Sequence, residues 1–359
     1  MASSNLKPSS LICIKKLSES LNLTSNIIPS NYVHFENPTE STTAVDDLQD
    51  SIPTIDISLL TSDDPDQRSK AIQDLDKACQ EWGFFMAVNH GIAEELMQKM
   101  IEISEEFFNL GEEEKPEFDP KNVLEPIRYG TSFNTAREKV HCWKDFLKLV
   151  VHPHFHSPQK PQAFRDVLSE YCARTRALVG KLVKGVSQSL GLDDGEMEEA
   201  LDLASSFQLF SANFYPPCPQ PELALGMTPH SDHGLFTILI QNGVGGLQIQ
   251  HDGVWVNVNA IPGSILVNTA DHLEIFSNGK YKSVLHRAVV NSGRTRISIA
   301  IANSPSLDTV VAPCPKLVQT ELGCAPAYVP MKYKEYLLSQ QSSKLDGKAR
   351  LQQVKVLGG

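Results

Sequence analysis

Two histidines and one aspartate have the spacing of a metal site. Ser231 alone separates His230 from Asp232, and His286 follows in a later run with strand-like alternation, residues 284–290. If the first segment is a strand, residues two apart face the same side, so the imidazole of His230 and the carboxylate of Asp232 both point inward. Two histidines and one carboxylate on one face of a metal leave three positions open, as in non-haem Fe(II) oxygenases. The sequence therefore predicts that these three side chains bind a catalytic metal.

The same three residues allow other interpretations. A His-x-Asp motif followed by a distant histidine occurs by chance in many proteins, and His286 would then be a hydrogen-bonded core residue. A zinc site with the same ligands is the sharper alternative, and it would make the protein a hydrolase. No glutamate stands beside the ligands as a hydrolytic base, which favours iron.

A second polar pair follows the metal motif. Arg296 and Ser298 lie ten and twelve residues beyond His286, in an alternating run (296–301) that places both on one face. An inward arginine on a barrel strand is costly unless an anion pairs with it, and no inward acid is evident nearby. A small dianion would serve, because guanidinium binds carboxylate through two hydrogen bonds. Tyr215, from a neighbouring strand, would add a third contact. The alternative is a surface arginine at a strand end.

The apolar pattern divides the chain into a helical half and a strand-rich half. Helical spacing predicts helices within 11–23, 69–82, 92–110 and 164–190, and again after residue 333. Strands are predicted at 51–58, 84–88, 143–151, 235–240, 247–249, 254–258, 264–267, 284–290 and 296–301.

This order of elements predicts an α+β fold, with a double-stranded β-helix (jelly-roll) core wrapped by helices. We expect an N-terminal helix and arm (1–50), a helical region (51–200), the jelly-roll core (201–310) and a helical tail (311–359). A second function compatible with this fold is a non-catalytic jelly-roll binding protein.

Composition excludes several classes of partner. The net charge of -11 repels nucleic acid and anionic membranes. No apolar run reaches the roughly 18 residues of a membrane span. The seven cysteines form no C-x-x-C pair, which indicates free thiols in a reducing compartment. We expect a cytoplasmic monomer whose partner is a small molecule.

Several further motifs, in the same order along the chain, resemble those of the plant 2-oxoglutarate/Fe(II)-dependent dioxygenases of specialised metabolism. This group includes anthocyanidin synthase, flavonol synthase, feruloyl-CoA hydroxylase and lateral branching oxidoreductase. The resemblance covers nearly the whole chain. The matching motifs are Ile52-Pro53-Thr54-Ile55-Asp56, Trp82-Gly83-Phe84-Phe85, Asn89-His90-Gly91, Asn213-Phe214-Tyr215-Pro216-Pro217, Gly245-Gly246-Leu247-Gln248 and Ser277-Asn278-Gly279-Lys280-Tyr281.

The resemblance implies roles for the polar residues. His230, Asp232 and His286 match the family's iron ligands, Arg296 and Ser298 its 2-oxoglutarate clamp, and Tyr215 and Asn213 further co-substrate contacts. The implied reaction consumes O₂ and 2-oxoglutarate, releases succinate and CO₂, and hydroxylates, desaturates or O-demethylates a small hydrophobic metabolite or hormone-like compound. Ascorbate is expected to be needed in vitro.

The departures from the family fall where substrate is recognised. Flavonoid enzymes of the group often carry a stacking Phe four residues after the clamp serine, and here that position is Ala302. A flat flavonoid is therefore disfavoured. Phe133 and Phe236 are the aromatic candidates for contact with substrate. The segments 128–133 and 143–145 resemble those that line the mouth of the pocket.

Overall fold

Two β-sheets form the centre of the protein. The computed structural model describes residues 13–24, 26–35, 44–46, 51–115, 124–133, 135, 137–318, 325–343 and 345–356. The eight strands of the larger sheet, in spatial order, are β1 (Thr54–Asp56), β2 (Phe84–Val88), β10 (Ile265–Thr269), β7 (Phe236–Gln241), β12 (Arg296–Ser304), β5 (Phe207–Tyr215), β4 (Asp145–His152) and β3 (Ile127–Thr131).

The smaller sheet has four strands, and a separate pair of short strands lies near the C-terminus. The first four strands of the large sheet in chain order come from residues 51–200, so both halves of the chain build that sheet. The smaller sheet, in spatial order, is β6 (Leu225–His230), β11 (His286–Val289), β8 (Leu247–His251) and β9 (Val254–Asn257), and the pair is β13 (Val310–Val311) with β14 (Met331–Lys332).

The two sheets pack face to face at one end through a shared apolar cluster. Phe84, Met86 and Leu266 of the larger sheet meet Leu247 and Ile249 of the smaller one in this cluster. Apart from the parallel pair β1–β2, the strands of the larger sheet pair antiparallel, as do those of the smaller sheet. Two such sheets with an inner core between them are the jelly-roll arrangement, so the predicted fold class is confirmed.

Helices cover the outer face of the larger sheet. Along β12, Ile297, Ile299 and Ile301 are fully buried in the cluster that includes helical residues, whereas Arg296 and Ser298 face the other way. The α-helices are α1 (Ile14–Thr24), α2 (Pro65–Glu81), α3 (Glu94–Asn109), α4 (Phe164–Ser189), α5 (Glu196–Ala200), α6 (Asp271–Phe276), α7 (Tyr333–Ser342) and α8 (Ala349–Gln353). Among the described residues, no helix combines the length and apolar character that crossing a membrane requires.

Capping residues and strand-disfavoured residues explain two differences between the predicted and the observed elements. Helix α2 begins four residues before the predicted 69–82, because Asp64 accepts hydrogen bonds from the backbone of Asp66 and Gln67 and Pro65 occupies the first turn. Strand β6 was not predicted before His230, where the metal motif was expected to begin a strand. Its sequence, LGMTPH, contains glycine and proline, which strand patterns disfavour.

Candidate metal and co-substrate site

Three side chains converge at one end of the space between the sheets. His230 and His286 are register partners on β6 and β11. The Nε2 atom of each lies 3.7 Å from Oδ1 of Asp232. One ligand atom from each residue lies within 4.8 Å of the others, which is compatible with a single metal ion. The structure thus brings together all three residues of the predicted triad.

The route by which Asp232 reaches the site differs from the prediction. Strand β6 ends at His230, so Asp232 lies in the connection to β7 and not in a strand. The expected strand alternation through residue 232 is therefore wrong. A turn places the carboxylate beside the histidine instead.

Each histidine is oriented by a backbone carbonyl. Nδ1 of His230 lies 2.8 Å from the carbonyl oxygen of Thr228, and Nδ1 of His286 lies 3.2 Å from that of Val284. A carbonyl only accepts, so each Nδ1 carries the proton. In a neutral ring this leaves the lone pair of Nε2 free for a metal.

The electrostatics of the triad suit a bound cation. Burial, followed by the neighbouring His286, lowers the pKa of His230 to about 3, so this ring is neutral near pH 7. Burial alone would raise the pKa of Asp232. The two histidines and a hydrogen bond from Asn268 hold that pKa below its ordinary value. Neutral imidazoles and an ionised carboxylate are the forms that bind metal.

The C-terminal helix α7 supports the turn that carries Asp232. The hydroxyl of Tyr333 lies 2.7 Å from Nδ1 of His233, and the amide of Gln340 donates to the carbonyl oxygen of Ser231. The backbone N–H of Asp271 donates to the carbonyl oxygen of Asp232 itself at 2.8 Å. Contacts far along the chain therefore fix the ligand turn.

The predicted co-substrate residues lie side by side on β12 and β5. Arg296 pairs with Tyr215, and Ser298 pairs with Asn213. The guanidinium carbon of Arg296 lies 5.0 Å from the centre of the Tyr215 ring. All four side chains line the same cavity as the triad.

Arg296 has the features of an anion-binding arginine. Its side chain is 2% exposed, and Nη2 donates to Oε1 of Gln241 at 2.9 Å. Nε and Nη1 have no hydrogen-bond partner within the described parts of the chain. A buried guanidinium with two orphaned nitrogens fits a carboxylate of 2-oxoglutarate.

Two glycines make room for the side chains of Tyr215 and Arg296. A Cβ atom at Gly226 would lie 2.6 Å from the ring of Tyr215. One at Gly246 would lie 2.7 Å from the carbonyl oxygen of Val289 and 3.3 Å from Cδ of Arg296. Gly246 also has a φ of +132°, which L side chains rarely adopt. Both positions therefore require glycine for close packing around the clamp.

The three residues predicted to contact substrate fall in different places. Phe133 and Ala302 line the cavity. Phe236 does not, because its side chain is fully buried in the outer core beneath the helices. Its neighbour Thr237 faces the cavity instead. Alternation along β7 thus overturns the expectation for Phe236.

Several cavity residues were missed from the sequence. Asn268 follows the apolar residues at 265–267 within the buried strand Ile265–Thr269, and a side-chain amide in such a strand was an available signal. Lys144 and Lys148 alternate with apolar residues in a way that is also typical of a solvent-exposed strand face. Both are nevertheless buried, and Lys144 donates to Oδ1 of Asn213 at 2.9 Å.

Known proteins match the chain along most of its length. A model of the 2OG-Fe(II) oxygenase superfamily matches residues 206–305, and a model described as the N-terminal region of a non-haem dioxygenase in morphine synthesis matches residues 52–168. The chain is 44% identical over 307 residues to 2-oxoglutarate-dependent dioxygenase 19 of Oryza sativa subsp. japonica, covering 85% of this chain and 90% of that one. It is 40% identical over 313 residues to Protein DMR6-LIKE OXYGENASE 2 of Arabidopsis thaliana, covering 86% and 88%.

A solved structure is similar over the full length. The crystal structure of JOX2 in complex with 2OG, Fe, and JA superposes with a TM-score of 0.86 at 31% identity, covering 98% of this chain and 99% of that one. These matches confirm the predicted reaction class and both cofactors, Fe(II) and 2-oxoglutarate. The chain belongs to the plant 2-oxoglutarate- and Fe(II)-dependent dioxygenases.

Proposed function

We propose that His230, Asp232 and His286 bind Fe(II), that Arg296 and Ser298 bind the far carboxylate of 2-oxoglutarate, and that the enzyme oxidises a small organic molecule held in the same cavity. The observation that carries this proposal is the pairing of a converged triad with a buried arginine whose Nε and Nη1 lack partners in the described chain. Neither feature alone distinguishes iron/2-oxoglutarate chemistry from a zinc site or a binding protein.

Bound Fe(II) and 2-oxoglutarate supply the oxidising power, using O₂ and releasing succinate and CO₂. The protein's own residues hold the reactants in place. The carbonyl oxygens of Thr228 and Val284 keep both Nε2 atoms turned to the metal, and Asn268 keeps the Asp232 carboxylate in one orientation.

The inner faces of β12 and β5 position the co-substrate. Arg296 provides the guanidinium fork and Ser298 a hydroxyl donor at the next inward position. Tyr215 and Asn213 lie opposite them on β5. Because these side chains are buried, water competes weakly for their hydrogen bonds, which favours a single pose for the co-substrate.

We further propose that the enzyme is a cytoplasmic monomer. The six described cysteines are buried thiols, which supports a reducing compartment. Light scattering coupled to size-exclusion chromatography tests the oligomeric state, and a fluorescent fusion tests the location. A mass of twice 39.7 kDa or an organellar signal would contradict the respective proposal.

The reaction is tested with purified protein, Fe(II), ascorbate, 2-oxoglutarate and fractionated plant metabolites under air. We expect succinate formation that depends on a metabolite fraction and on O₂. His230→Ala should abolish it. The matched control is His154→Ala, since His154 is exposed and has no described contact.

Each alternative has its own signature in this assay. Turnover of a metabolite that persists without O₂ would support the zinc hydrolase. Tight metabolite binding with no succinate from any fraction, unchanged by His230→Ala, would support a non-catalytic binding protein.

A further inference from the structure

Two basic side chains, one of them in the wall of the cavity, lie opposite each other on neighbouring strands. Arg128 on β3 and Lys148 on β4 are direct register partners in an antiparallel pair, so their side chains leave the sheet on the same face. Arg128 is 5% exposed and Lys148 is 8% exposed, and Lys148 lines the cavity. Like charges directly opposite on a sheet are destabilising, and burial increases the cost.

The protein supplies little to neutralise this pair. The Nζ atom of Lys148 lies 4.9 Å and 5.2 Å from the ring centres of Phe133 and Phe146, which are cation–π contacts. Nη1 of Arg128 donates to Oε1 of Gln341 at 3.4 Å, and its Nε has no partner among the residues that the structure describes.

Carboxylates act on the pair only at longer range. Glu138 and Asp232 raise the pKa of Lys148, but burial and the charges of Arg128 and Lys144 outweigh them and lower it. Glu125 likewise raises the pKa of Arg128, but burial outweighs it and lowers that pKa. None of the ion pairs within 4.0 Å among the described residues involves Arg128 or Lys148.

The 2-oxoglutarate clamp does not account for these cations. Lys148 pairs with Ser211, and Ser211 pairs with Ala300, four residues along β12 from Arg296. With strands about 4.8 Å apart and about 3.4 Å per residue, the two Cα atoms are on the order of 15 Å apart. Lys148 therefore lies toward the Ala302 end of the inner face, whereas Arg296 lies at the opposite end.

We propose that Lys148, supported by Arg128, binds a carboxylate of the substrate, so that this dioxygenase acts on a small organic acid with an apolar body. Phe133, Leu209 and Ala302 line the same part of the cavity and would contact that apolar body. Gln341, which bonds Arg128 and lines the cavity from α7, completes the polar end. This inference rests on the proposed function and adds the substrate class to it.

The proposal is tested by titration calorimetry of the full-length protein loaded with Fe(II) and 2-oxoglutarate under anoxia. The probes are benzoate, cinnamate and octanoate, each compared with its neutral primary amide. We compare wild type, Lys148→Met, Lys148→Arg and the surface control Lys99→Met. Affinity for 2-oxoglutarate is measured in every variant beforehand.

We expect wild type to bind at least one acid about 10- to 100-fold more tightly than its amide, the range for a hydrogen bond to a charged group. Lys148→Met should lose this preference, whereas Lys148→Arg and Lys99→Met should keep it. Affinity for 2-oxoglutarate should be the same in all four proteins. Failure of 2-oxoglutarate to bind wild type would contradict the proposed function rather than this inference.

Three results would overturn the inference. They are amides binding wild type as tightly as the acids, Lys148→Met retaining the preference for acids, and no acid binding at millimolar concentration. Inorganic phosphate is included as a further probe. If it binds through Lys148 more tightly than every carboxylate, the substrate group is a phosphate and the carboxylate assignment is wrong.

Discussion

Asn268 donates a hydrogen bond of 2.9 Å to Oδ2 of Asp232, while both ligand histidines face the other oxygen, Oδ1. One side chain thus fixes the rotation of the only carboxylate in the triad. Groups that orient metal ligands in this way typically contribute 10- to 100-fold to metal affinity.

We predict that Asn268→Ala weakens Fe(II) binding by about 10-fold or more because the Asp232 carboxylate becomes free to rotate. Competition against a fluorescent chelator under anoxia measures the affinity directly. The control is Ser264→Ala, because Ser264 lies just before the same strand and its hydroxyl donates to the backbone carbonyl oxygen of Ile261. Equal affinity in Asn268→Ala and wild type would contradict a role in orienting Asp232.

Arg296→Lys should raise the KM for 2-oxoglutarate by about 10- to 100-fold, since a lysine cannot form the paired hydrogen bonds of a guanidinium. Arg294→Lys, an exposed substitution two residues away, should change nothing. A thermal-shift assay provides a second readout. At 100 times its Kd, 2-oxoglutarate should stabilise wild type by about 2.7 kcal/mol and the Arg296 variant much less. A similar stabilisation of both proteins would place the co-substrate elsewhere.

A buried carboxylate on β4 caps the N-terminal helix. Oδ1 and Oδ2 of Asp145 accept hydrogen bonds from the backbone N–H groups of Ile14 and Lys15 at 2.9 Å and 3.0 Å. Burial nevertheless outweighs these donors and raises the pKa of Asp145 to about 6. The folded protein therefore binds more protons than the unfolded chain between about pH 4 and pH 6.

The stability that protonation of Asp145 contributes should be present below pH 4 and should be lost as pH rises through 6. We predict that the free energy of unfolding of wild type, relative to Asp145→Asn, falls by about 2 to 3 kcal/mol over this range. Urea unfolding at pH 4, 5, 6 and 7 measures it. A difference that grows with pH would show that the hydrogen bonds from α1 hold the carboxylate ionised.

A buried acid anchors the tail that supports the metal turn. Oε2 of Glu274 accepts from Nζ of Lys348 at 2.9 Å and from the backbone of Ser283 at 2.8 Å, and Oε1 accepts from the hydroxyl of Tyr328. Lys348 follows α7, whose residues Tyr333 and Gln340 hold the turn around Asp232.

Lys348→Met should lower the free energy of unfolding by about 1 to 3 kcal/mol. This is less than breaking a fully buried ion pair typically costs, because the side chain of Lys348 is partly exposed. Backbone hydrogen exchange in residues 333–356 should become faster, and exchange in the turn at residues 231–233 should become faster as well. Lys334→Met, an exposed change on the same helix, is the control. Unaltered exchange in the tail would mean that apolar packing alone docks it.

The sequence determined the parts of the site that depend on short spacings. Arg296 and Ser298 were correctly placed together, because side chains two apart on a strand share a face. The triad was identified by residue type and order, although Asp232 reaches the site from the connection after β6 and not by strand alternation. Most helices and strands also followed from apolar period and turn residues. Most of strand β6 was not predicted, because its sequence contains glycine and proline, which are disfavoured in strands.

Tertiary structure decided which face of each strand is the inside and which strands are neighbours. The alternation of side chains along a strand does not show whether Phe236 or Thr237 faces the cavity, because both assignments fit the same two-residue pattern. The opposition of Arg128 and Lys148 and the reach of Asn268 to Asp232 join residues 20 and 36 positions apart. Such contacts arise from sheet register and from packing between sheets, which are set by burial over the whole domain and not by local propensity.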